Sequence, residues 1–448
     1  MAENLITPTK ERIMIISQNR GKVKKKALSL INQLKADLSR PLIKFILEMC
    51  LGMLMLGSSN VNLIAGILKE QIDVKHTVKR LHRMLLNSRI LELANQLSLK
   101  VSIGRICRST ILALDGGELS HQYGKKFEKS AKVKDGSSGE LCMGYWLNQI
   151  SGYNPGSSET FPILLRIYST LESGFKSANN ETFKIVDQLI SHIGKLGLWV
   201  IDRGYDGGEV LKYFLGKGLD FMLRMNKSRN IIYKGKKENI YKVATSLNRR
   251  VKFRTHSRFG SCKVKLEIGN QEYEATLICY KDKRNKEPLI FLTNGWIKST
   301  KQLKRRIRGY FHRWGVEDCY RFEKQGFEIE KSKTRNYERI KTLLGLTIIS
   351  WLILIKVNEQ PDLKEVVLKE ARMEKDKPKD IPKFIYYRLI RGIQNMFAGV
   401  KRLFLFRLKR KERERVKQNM IQQMPLFRNL LLEDKDDLLE YMWLEEAA

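Results

Sequence analysis

The stretch LGLWVID, residues 196–202, decides the fold. It is a short, wholly apolar run that ends on an acid, which is typical of a buried strand. An amphipathic helical pattern, ANNETFKIVDQLISHIG, precedes it, and a second, GGEVLKYFLGKG, follows it. A buried strand between two such segments predicts a sheet with helices packed on it.

Further strands are predicted on both sides of this stretch. They are STILALD (109–115), GYWLNQISGY (144–153), FPILLRIYS (161–169) and LDFMLRM (219–225). The order β-β-β-α-β-α-β predicts an α/β fold with a mixed sheet and flanking helices. Residues 226–298 are strand-rich with turn residues and predict a β-rich insertion. Helix is predicted to return at about residue 299 and to continue to about residue 357.

The ends of the chain are predicted to be helical, over residues 1–105 and 359–448. Near the N-terminus, two short helices are expected after N-caps at residues 58–60 and at Asp73. The second is basic, so the pair predicts a helix-turn-helix that either docks on DNA or packs on the next domain. A linker is predicted at residues 375–383.

The charge of the chain points to a polyanionic partner. Lysine and arginine total 84 against 48 acids, a net charge of +36. Nucleic acid, an anionic membrane or a generally lysine-rich surface would each explain this excess. The two longest apolar runs, FILEMCLGMLML and LLGLTIISWLILI, are shorter than the ~18–20 residues of a membrane span. We therefore predict buried core helices, no membrane partner and binding to nucleic acid.

The six cysteines argue against a zinc site. None of them forms a C-x-x-C pair, and a reduced, intracellular setting fits this usage best. No apolar signal core is evident in the first twenty residues. Any metal is therefore expected to use hard oxygen ligands.

Two aspartates end predicted strands. Asp115 and Asp202 are each followed by nearby glycines, which leave room for close approach of a ligand. Open α/β sheets place reactive groups at the carboxyl ends of their strands. Either acid taken alone is more typical of an ordinary turn.

A third acid lies in YFHRWGVEDCYRFEK, residues 310–324. Tyr310, Arg313, Glu317 and Lys324 fall within an arc of about 60° on one helix. Arg306 lies on the same stripe. An exposed face with local ion pairs is the plainer alternative. Together with the two aspartates, Glu317 would supply three carboxylates, enough to hold two Mg²⁺ ions for phosphoryl transfer.

These motifs resemble those of a known family. Y-x2-R-x3-E-x6-K, met by Tyr310, Arg313, Glu317 and Lys324, is similar to the Y-R-E-K signature of bacterial insertion-sequence transposases of the DDE type. "VIDRGYD" and "ILALDGGELSHQYGKKFEK" are similar to the two aspartate motifs of that family. The resemblance covers about residues 110–356. Gly117 departs from it, because members often carry a hydroxyl residue there.

The resemblance implies a ribonuclease-H-like core, formed by residues 106–225 and 299–358 and interrupted by the β-rich insertion. It implies cut-and-paste transposition, with catalytic metal ligands Asp115, Asp202 and Glu317. Two Mg²⁺ ions are expected, with Mn²⁺ as an alternative. Residues expected to bind DNA are Tyr310, Arg313, Lys324, Arg306 and Trp296, the last by stacking on a flipped base.

The expected partners are the terminal inverted repeats of the transposon and a target DNA, bound by a homodimer. The expected location is the bacterial cytoplasm, on the nucleoid. Two other functions stay open: a structure-selective nuclease on the same ribonuclease-H fold, which would cut without joining, and a DNA-binding protein whose catalysis has lapsed.

Overall fold

The structure, a computed structural model, describes residues 10–121, 126–136, 139–156, 159–247, 249–371 and 384–406. Two units make up the chain. The first consists of residues 1–98, 120–130 and 321–448, and the second of residues 99–119 and 131–320. The predicted linker at 375–383 and the end of the predicted C-terminal region, after residue 406, lie outside the described residues.

The described helices are α1 (Lys10–Ile31), α2 (Arg40–Leu56), α3 (Val61–Leu68), α4 (Val74–Met84), α5 (Arg89–Ile103), α6 (Ala178–Ile193), α7 (Gly208–Gly216), α8 (Ile240–Ser246), α9 (Thr300–Phe311), α10 (Trp314–Gly326), α11 (Tyr337–Asn358), α12 (Pro361–Glu370) and α13 (Tyr386–Phe406). The described strands are β1 (Ile111–His121), β2 (Ala131–Lys134), β3 (Leu141–Asn154), β4 (Glu159–Tyr168), β5 (Leu198–Ile201), β6 (Phe221–Arg224), β7 (Asn230–Tyr233), β8 (Lys236–Asn239), β9 (Val251–Arg254), β10 (Ser257–Ile268), β11 (Gln271–Asp282) and β12 (Leu289–Asn294). They form one sheet with the path β2-β3-β1-β5-β6-β12-β11-β10-β7-β8, in which β4 pairs with β3 and β9 with β10.

The stretch quoted first, LGLWVID, provides the central strand. β5 lies between β1 and β6 and runs parallel to both. All four of its residues are buried, as expected for a parallel strand covered on both faces. Helix α9 packs closely on β1 and β5, since a Cβ at Gly309 would lie 2.8 Å from Ile111 and 3.1 Å from Leu198. The predicted α/β fold, a mixed sheet with flanking helices, is confirmed.

The predicted β-rich segment, residues 226–298, continues the same sheet. β12 is antiparallel to β6 of the core, and β11 and β10 follow it in antiparallel order. The segment also contains the short helix α8, capped by the Asn239 side chain, which accepts from the backbone N–H groups of Tyr241 and Lys242. The strands therefore extend the core sheet edge, while the proposed domain boundaries stay a prediction.

The single helix predicted over residues 299–357 was wrong, because the structure forms three. α9 ends at Phe311 and α10 begins at Trp314. In the break, the N–H groups of His312 and Arg313 donate to carbonyl oxygens only three residues earlier, a tighter turn than the α-helix. A Cβ at Gly315 would lie 2.8 Å from the Thr160 hydroxyl, so the glycine permits this close approach. α11 begins separately, with Asn336 as its N-cap.

The first unit is mainly helical in its described residues, with α11 at its centre. α11 packs against α1, α2, α12 and α13. Trp351 is fully buried and contacts the rings of Phe322 and Tyr386 at 5.4 and 5.5 Å. The predicted N-caps before α3 and α4 are confirmed: Asn60 accepts from the N–H groups of Asn62 and Leu63, and Asp73 accepts from that of Lys75.

Apolar helices are core elements of this unit. By length and composition α11 could cross a membrane, as could the bent pair of α2 and α3 if counted together. The helix is longer than the apolar run read from the sequence, at 22 residues. However, 89% of its apolar window is buried inside the protein. Its apolar surface is therefore covered by neighbouring helices.

Candidate active site

Two aspartates lie side by side in the second unit. Leu114 of β1 is paired in parallel register with Ile201 of β5, so the next residues, Asp115 and Asp202, follow that last pair on adjacent strands. The prediction that the strand ends at Asp115 was wrong, because β1 continues to His121. The parallel pairing with β5 does stop there, which leaves the Asp115 side chain beside the end of β5.

The Arg313 guanidinium joins the three acids. Its Nη1 lies 2.9 Å from Asp115 Oδ2 and its Nη2 lies 3.1 Å from Glu317 Oε1. Its Nε lies 3.9 Å from Asp202 Oδ1 and has no hydrogen-bond partner among the described residues. Glu317 is in the first turn of α10, where its charge suits the helix dipole. Asp115, Asp202 and Glu317 thus surround one cation contributed by the turn between α9 and α10.

Burial dominates the electrostatics of this cluster. Desolvation raises the pKa of Asp115 to about 7, and the charges of Asp202 and Glu317 act in the same direction, while Arg313 opposes them. Only 6% of Arg313 is exposed, and the neighbouring acids raise its pKa against the effect of burial. The site therefore stabilises positive charge strongly.

Tyr310 and Arg306 make contacts within the second unit. The Tyr310 hydroxyl donates to Asp202 Oδ1 at 3.0 Å, and burial raises the pKa of this phenol. Arg306 pairs with Asp220 and donates to Thr293 Oγ1 at 2.7 Å and to the Phe221 carbonyl at 3.2 Å. Through these hydrogen bonds, Arg306 connects α9 to β6 and β12.

The predicted single stripe of DNA-binding residues is not one helical face. Tyr310 is at the end of α9, Arg313 is in the turn, and Glu317 and Lys324 are on α10. Lys324 lies in the first unit, where its ammonium is 3.3 Å from Glu330 Oε1. Trp296 is 37% exposed on the second unit. The structure thus brings Tyr310 and Arg313 to the acids, while the DNA contacts of all five residues stay predictions.

Tyr320 is a residue of the site that the sequence did not single out. Its hydroxyl donates to the Asp115 carbonyl at 2.7 Å. Its ring covers Gly117, where a Cβ would lie 3.2 Å from the ring carbons. Gly117 departs from the family pattern, and its lack of a side chain leaves space for the Tyr320 ring. The signal was present in the quoted motif, since Tyr320 lies one helical turn after Glu317.

We expect Tyr320→Phe to lower the free energy of unfolding by about 1 kcal/mol, because it removes one buried hydrogen bond to the strand that carries Asp115. Thermal unfolding of the two proteins measures this change. Tyr273→Phe is the matched control, since its hydroxyl bonds Gln271 on the exposed surface. Equal stability of the Tyr320 and Tyr273 variants would contradict a bracing role for Tyr320.

The donor chemistry of the cluster fits a divalent metal ion. Three carboxylates offer the hard oxygen ligands that Mg²⁺ and Mn²⁺ prefer, and a cation beside Asp115 would offset the burial that raises the pKa of this carboxyl. Among the described residues, no three His, Cys, Asp or Glu side chains form a ready-made metal site. Each of the three acids contacts the Arg313 guanidinium instead. That guanidinium would have to move away before the acids could share an ion.

This chain is similar to a protein family and to solved structures. The transposase DDE domain family matches residues 110–353. A piggyBac transposase synaptic complex with hairpin DNA is similar over 90% of this chain and 84% of its own, with 12% identity and a TM-score of 0.42. Endonuclease V from Bacillus subtilis is similar over 50% of this chain and 91% of its own, with 10% identity and a TM-score of 0.25. No curated protein sequence matches the chain.

The family match covers more than half of the 448 residues and contains all three acids of the cluster. It confirms the DDE transposase family predicted from the three sequence motifs, while the Y-R-E-K signature itself stays a prediction. A family that acts on DNA also accounts for the net charge of +36. The chain belongs to the DDE transposase family.

Proposed function

We propose that Asp115, Asp202 and Glu317 are the catalytic carboxylates with which this transposase cuts transposon ends and joins a 3′-hydroxyl to target DNA. The observation that carries the proposal is their convergence: the three acids come from β1, the end of β5 and α10, and each lies within 4.0 Å of the Arg313 guanidinium. Acids gathered this closely in a partly buried site mark a place built for cationic chemistry.

The three carboxylates would hold the catalytic metal, Mg²⁺ or Mn²⁺, with two ions expected from the family resemblance. Such ions lower the pKa of an attacking water or sugar hydroxyl and stabilise the leaving oxygen in an in-line displacement at phosphorus. Asp115 and Asp202 are held on the rigid centre of the sheet, and Tyr320 and Tyr310 restrain them further. This support fixes the positions of the oxygens that would face the ion.

Arg313 changes its partner in this proposal. Without an ion it neutralises the acids, and 7% of its side chain is exposed. With metal charge on the carboxylates, the guanidinium would be available to a phosphate, which its forked geometry suits. Arg313 would thus stabilise the three acids before metal binds and help to position the DNA strand afterwards.

The N-terminal helices are proposed to dock on DNA. Lys75, Lys79 and Arg83 are exposed on α4 and recur every four residues, so they form one basic stripe. Arg80 of the same helix is different, because it pairs with Glu48 and Glu70 at 2.9 Å each. A basic helix face of this kind neutralises backbone phosphates. Joining two transposon ends would engage at least two protomers on the terminal inverted repeats.

A strand-transfer assay with pre-cleaved transposon ends tests the function. The wild-type protein in Mg²⁺ is expected to join the free 3′-hydroxyl of these ends to a target plasmid. Ends that terminate in a 3′-dideoxynucleotide are the control and should give no joined product. Cleavage of intact ends without any joining of pre-cleaved ones would identify a nuclease instead.

A further inference from the structure

A row of three positive charges crosses the strands β9, β10 and β11. Arg258 of β10 lies opposite Lys252 of β9 and opposite Lys281 of β11 in the antiparallel register. Residues paired in this way project to the same face of a sheet, and neighbouring strands are about 4.8 Å apart. Lys252 and Arg258 are both exposed. Like charges placed opposite each other destabilise a sheet, so this row is costly for the fold.

The charges of the row are not neutralised by acids of the protein. None of the three cations forms an ion pair in the part of the chain that the structure describes. The Lys281 ammonium donates instead to two backbone carbonyl oxygens, at 2.8 and 2.6 Å. The nearby acids Asp282 and Glu287 pair with Arg284 and Lys227. The row therefore leaves a site for negative charge from outside the chain.

The same hairpin balances its charges at the end nearer its turn. β10 and β11 carry three glutamates there, and each of them pairs with a lysine. The pairs are Lys263 with Glu274, Lys265 with Glu272 at 2.7 Å and Lys237 with Glu267 at 3.1 Å. A lysine-rich composition does not explain why cations stay unpaired at one end of this hairpin and are paired at the other.

The row adjoins the end of the helix that leads to Arg313. The Arg254 guanidinium lies 5.5 Å from the ring centroid of Phe311, the last residue of α9. Tyr280 of β11 packs on the same ring, with centroids 5.3 Å apart. Arg308 is exposed and lies one helical turn before Phe311, on the same face of α9. We call these five cations the insertion patch: Lys252, Arg254, Arg258, Lys281 and Arg308.

We propose that the insertion patch binds the phosphate backbone of the target DNA during joining. The proposal rests on the function proposed above and names the partner of a second surface beside the same acids. Five cations on one surface fit a run of phosphates. Phosphate contacts carry no sequence information, so they suit a target of any sequence, whereas a transposon end must be distinguished from other DNA.

Target binding at the patch would act on one step of the reaction. The patch borders the turn that carries Arg313, so a backbone held there would be kept beside the three acids while the 3′-hydroxyl attacks it. Cleavage of a transposon end needs no target and should not depend on the patch. The two steps therefore distinguish a target site from a general site for DNA.

Removing two cations of the row tests the proposal. Target capture is measured by fluorescence anisotropy of a labelled duplex, with protein that already holds pre-cleaved ends blocked by a 3′-dideoxynucleotide. The double variant Lys252→Ala, Arg258→Ala should capture the duplex about a hundredfold more weakly at about 0.1 M salt, since each lost phosphate contact costs about tenfold there. The slope of log Kd against log salt should fall by about 1.8. Joining of unblocked ends at low target concentration should slow to match, while cleavage keeps the wild-type rate.

The double variant Lys263→Ala, Lys265→Ala is the matched control. It removes two positive charges from the same strand, but these lysines already pair with glutamates. It should keep the wild-type target capture, salt slope and joining rate. An equal loss in this control would reduce the insertion patch to part of the overall charge and overturn the proposal.

A charge reversal separates the proposal from a folding defect. In Arg258→Glu the new carboxylate would face Lys252 and Lys281 with opposite charge, so the unfolding temperature should rise by about 2 °C. Target capture should nevertheless fall at least about tenfold, as for the loss of one phosphate contact. A protein that is more stable and yet captures less target cannot owe that loss to misfolding.

Three further results decide between the possibilities. Wild-type target capture by both row variants would contradict the proposal. Equal slowing of cleavage and joining would assign the patch to the transposon end and would contradict it too. A wild-type protein that joins no end would overturn the proposed function, whereas capture by protein with blocked ends would still decide whether the patch binds target DNA.

Discussion

Replacing Glu317 by glutamine is expected to lower strand cleavage and joining about a thousandfold or more. Glutamine keeps the shape of the side chain but removes one of the three charges that would hold the metal, and lost metal stabilisation of several kcal/mol corresponds to such a factor. Asp115→Asn and Asp202→Asn should do the same. Rates are measured on end-labelled transposon ends in Mg²⁺, with DNA binding followed separately by fluorescence anisotropy.

Binding of the transposon end should survive these three substitutions largely intact, because phosphate contacts elsewhere supply most of the affinity. Glu328→Gln is the matched control: this glutamate pairs on the surface with Lys331 and lies beyond the end of α10. It should leave both cleavage and binding unchanged. A near wild-type cleavage rate for any variant of the three acids would show that the residue concerned is not a metal ligand.

Replacing Arg313 by alanine is expected to destabilise the metal-free protein by about 3 kcal/mol or more, the cost of leaving buried charges without their partner. Asp115, Asp202 and Glu317 would then repel one another in a site with little water. Divalent metal should reverse most of this loss, since ions bound by the acids would replace the missing positive charge. Thermal unfolding in EDTA and in Mg²⁺ measures both effects.

Arg305→Ala is the control for this experiment. Arg305 is on α9 near Arg306, and its guanidinium donates to the Arg108 carbonyl at 2.8 Å on the exposed surface, so its loss should cost less than about 0.5 kcal/mol. Arg313→Lys keeps a charge without the forked geometry and should fall between the two. If the Arg313→Ala protein unfolds at the wild-type temperature in EDTA, the guanidinium does not neutralise the acids.

The sheet and its acids were largely predictable because strands and their ends leave local signals. Apolar runs of four to seven residues marked β1, β4, β5 and β6, and the glycines after Asp202 marked the end of β5. The end of β1 was not predictable in this way. Its parallel pairing with β5 stops at Leu114, but the strand continues to His121 through pairing on its other side.

The partners of the basic residues could not be predicted from spacing. Arg306 and Arg313 were expected to face DNA, since both fit the periodicity of one helix. The break at residues 312–313 ends that periodicity, and the sheet then supplies Asp220 to one arginine and Asp115 to the other. Those acids are 86 and 198 residues away in the chain, beyond the reach of any local pattern.

The sequence by itself determined the succession of strands and helices in the core, the buried central strand and the caps of α3 and α4, because each depends on neighbours a few residues apart; the catalytic role of the three acids stays a prediction from the same motifs. Only the tertiary structure decided that Arg313 lies among those acids, that Tyr320 supports Asp115 over Gly117, and that three cations face one another across β9, β10 and β11. These features depend on packing between segments distant in the chain, and the contacts formed there exist only once the sheet has brought those segments together.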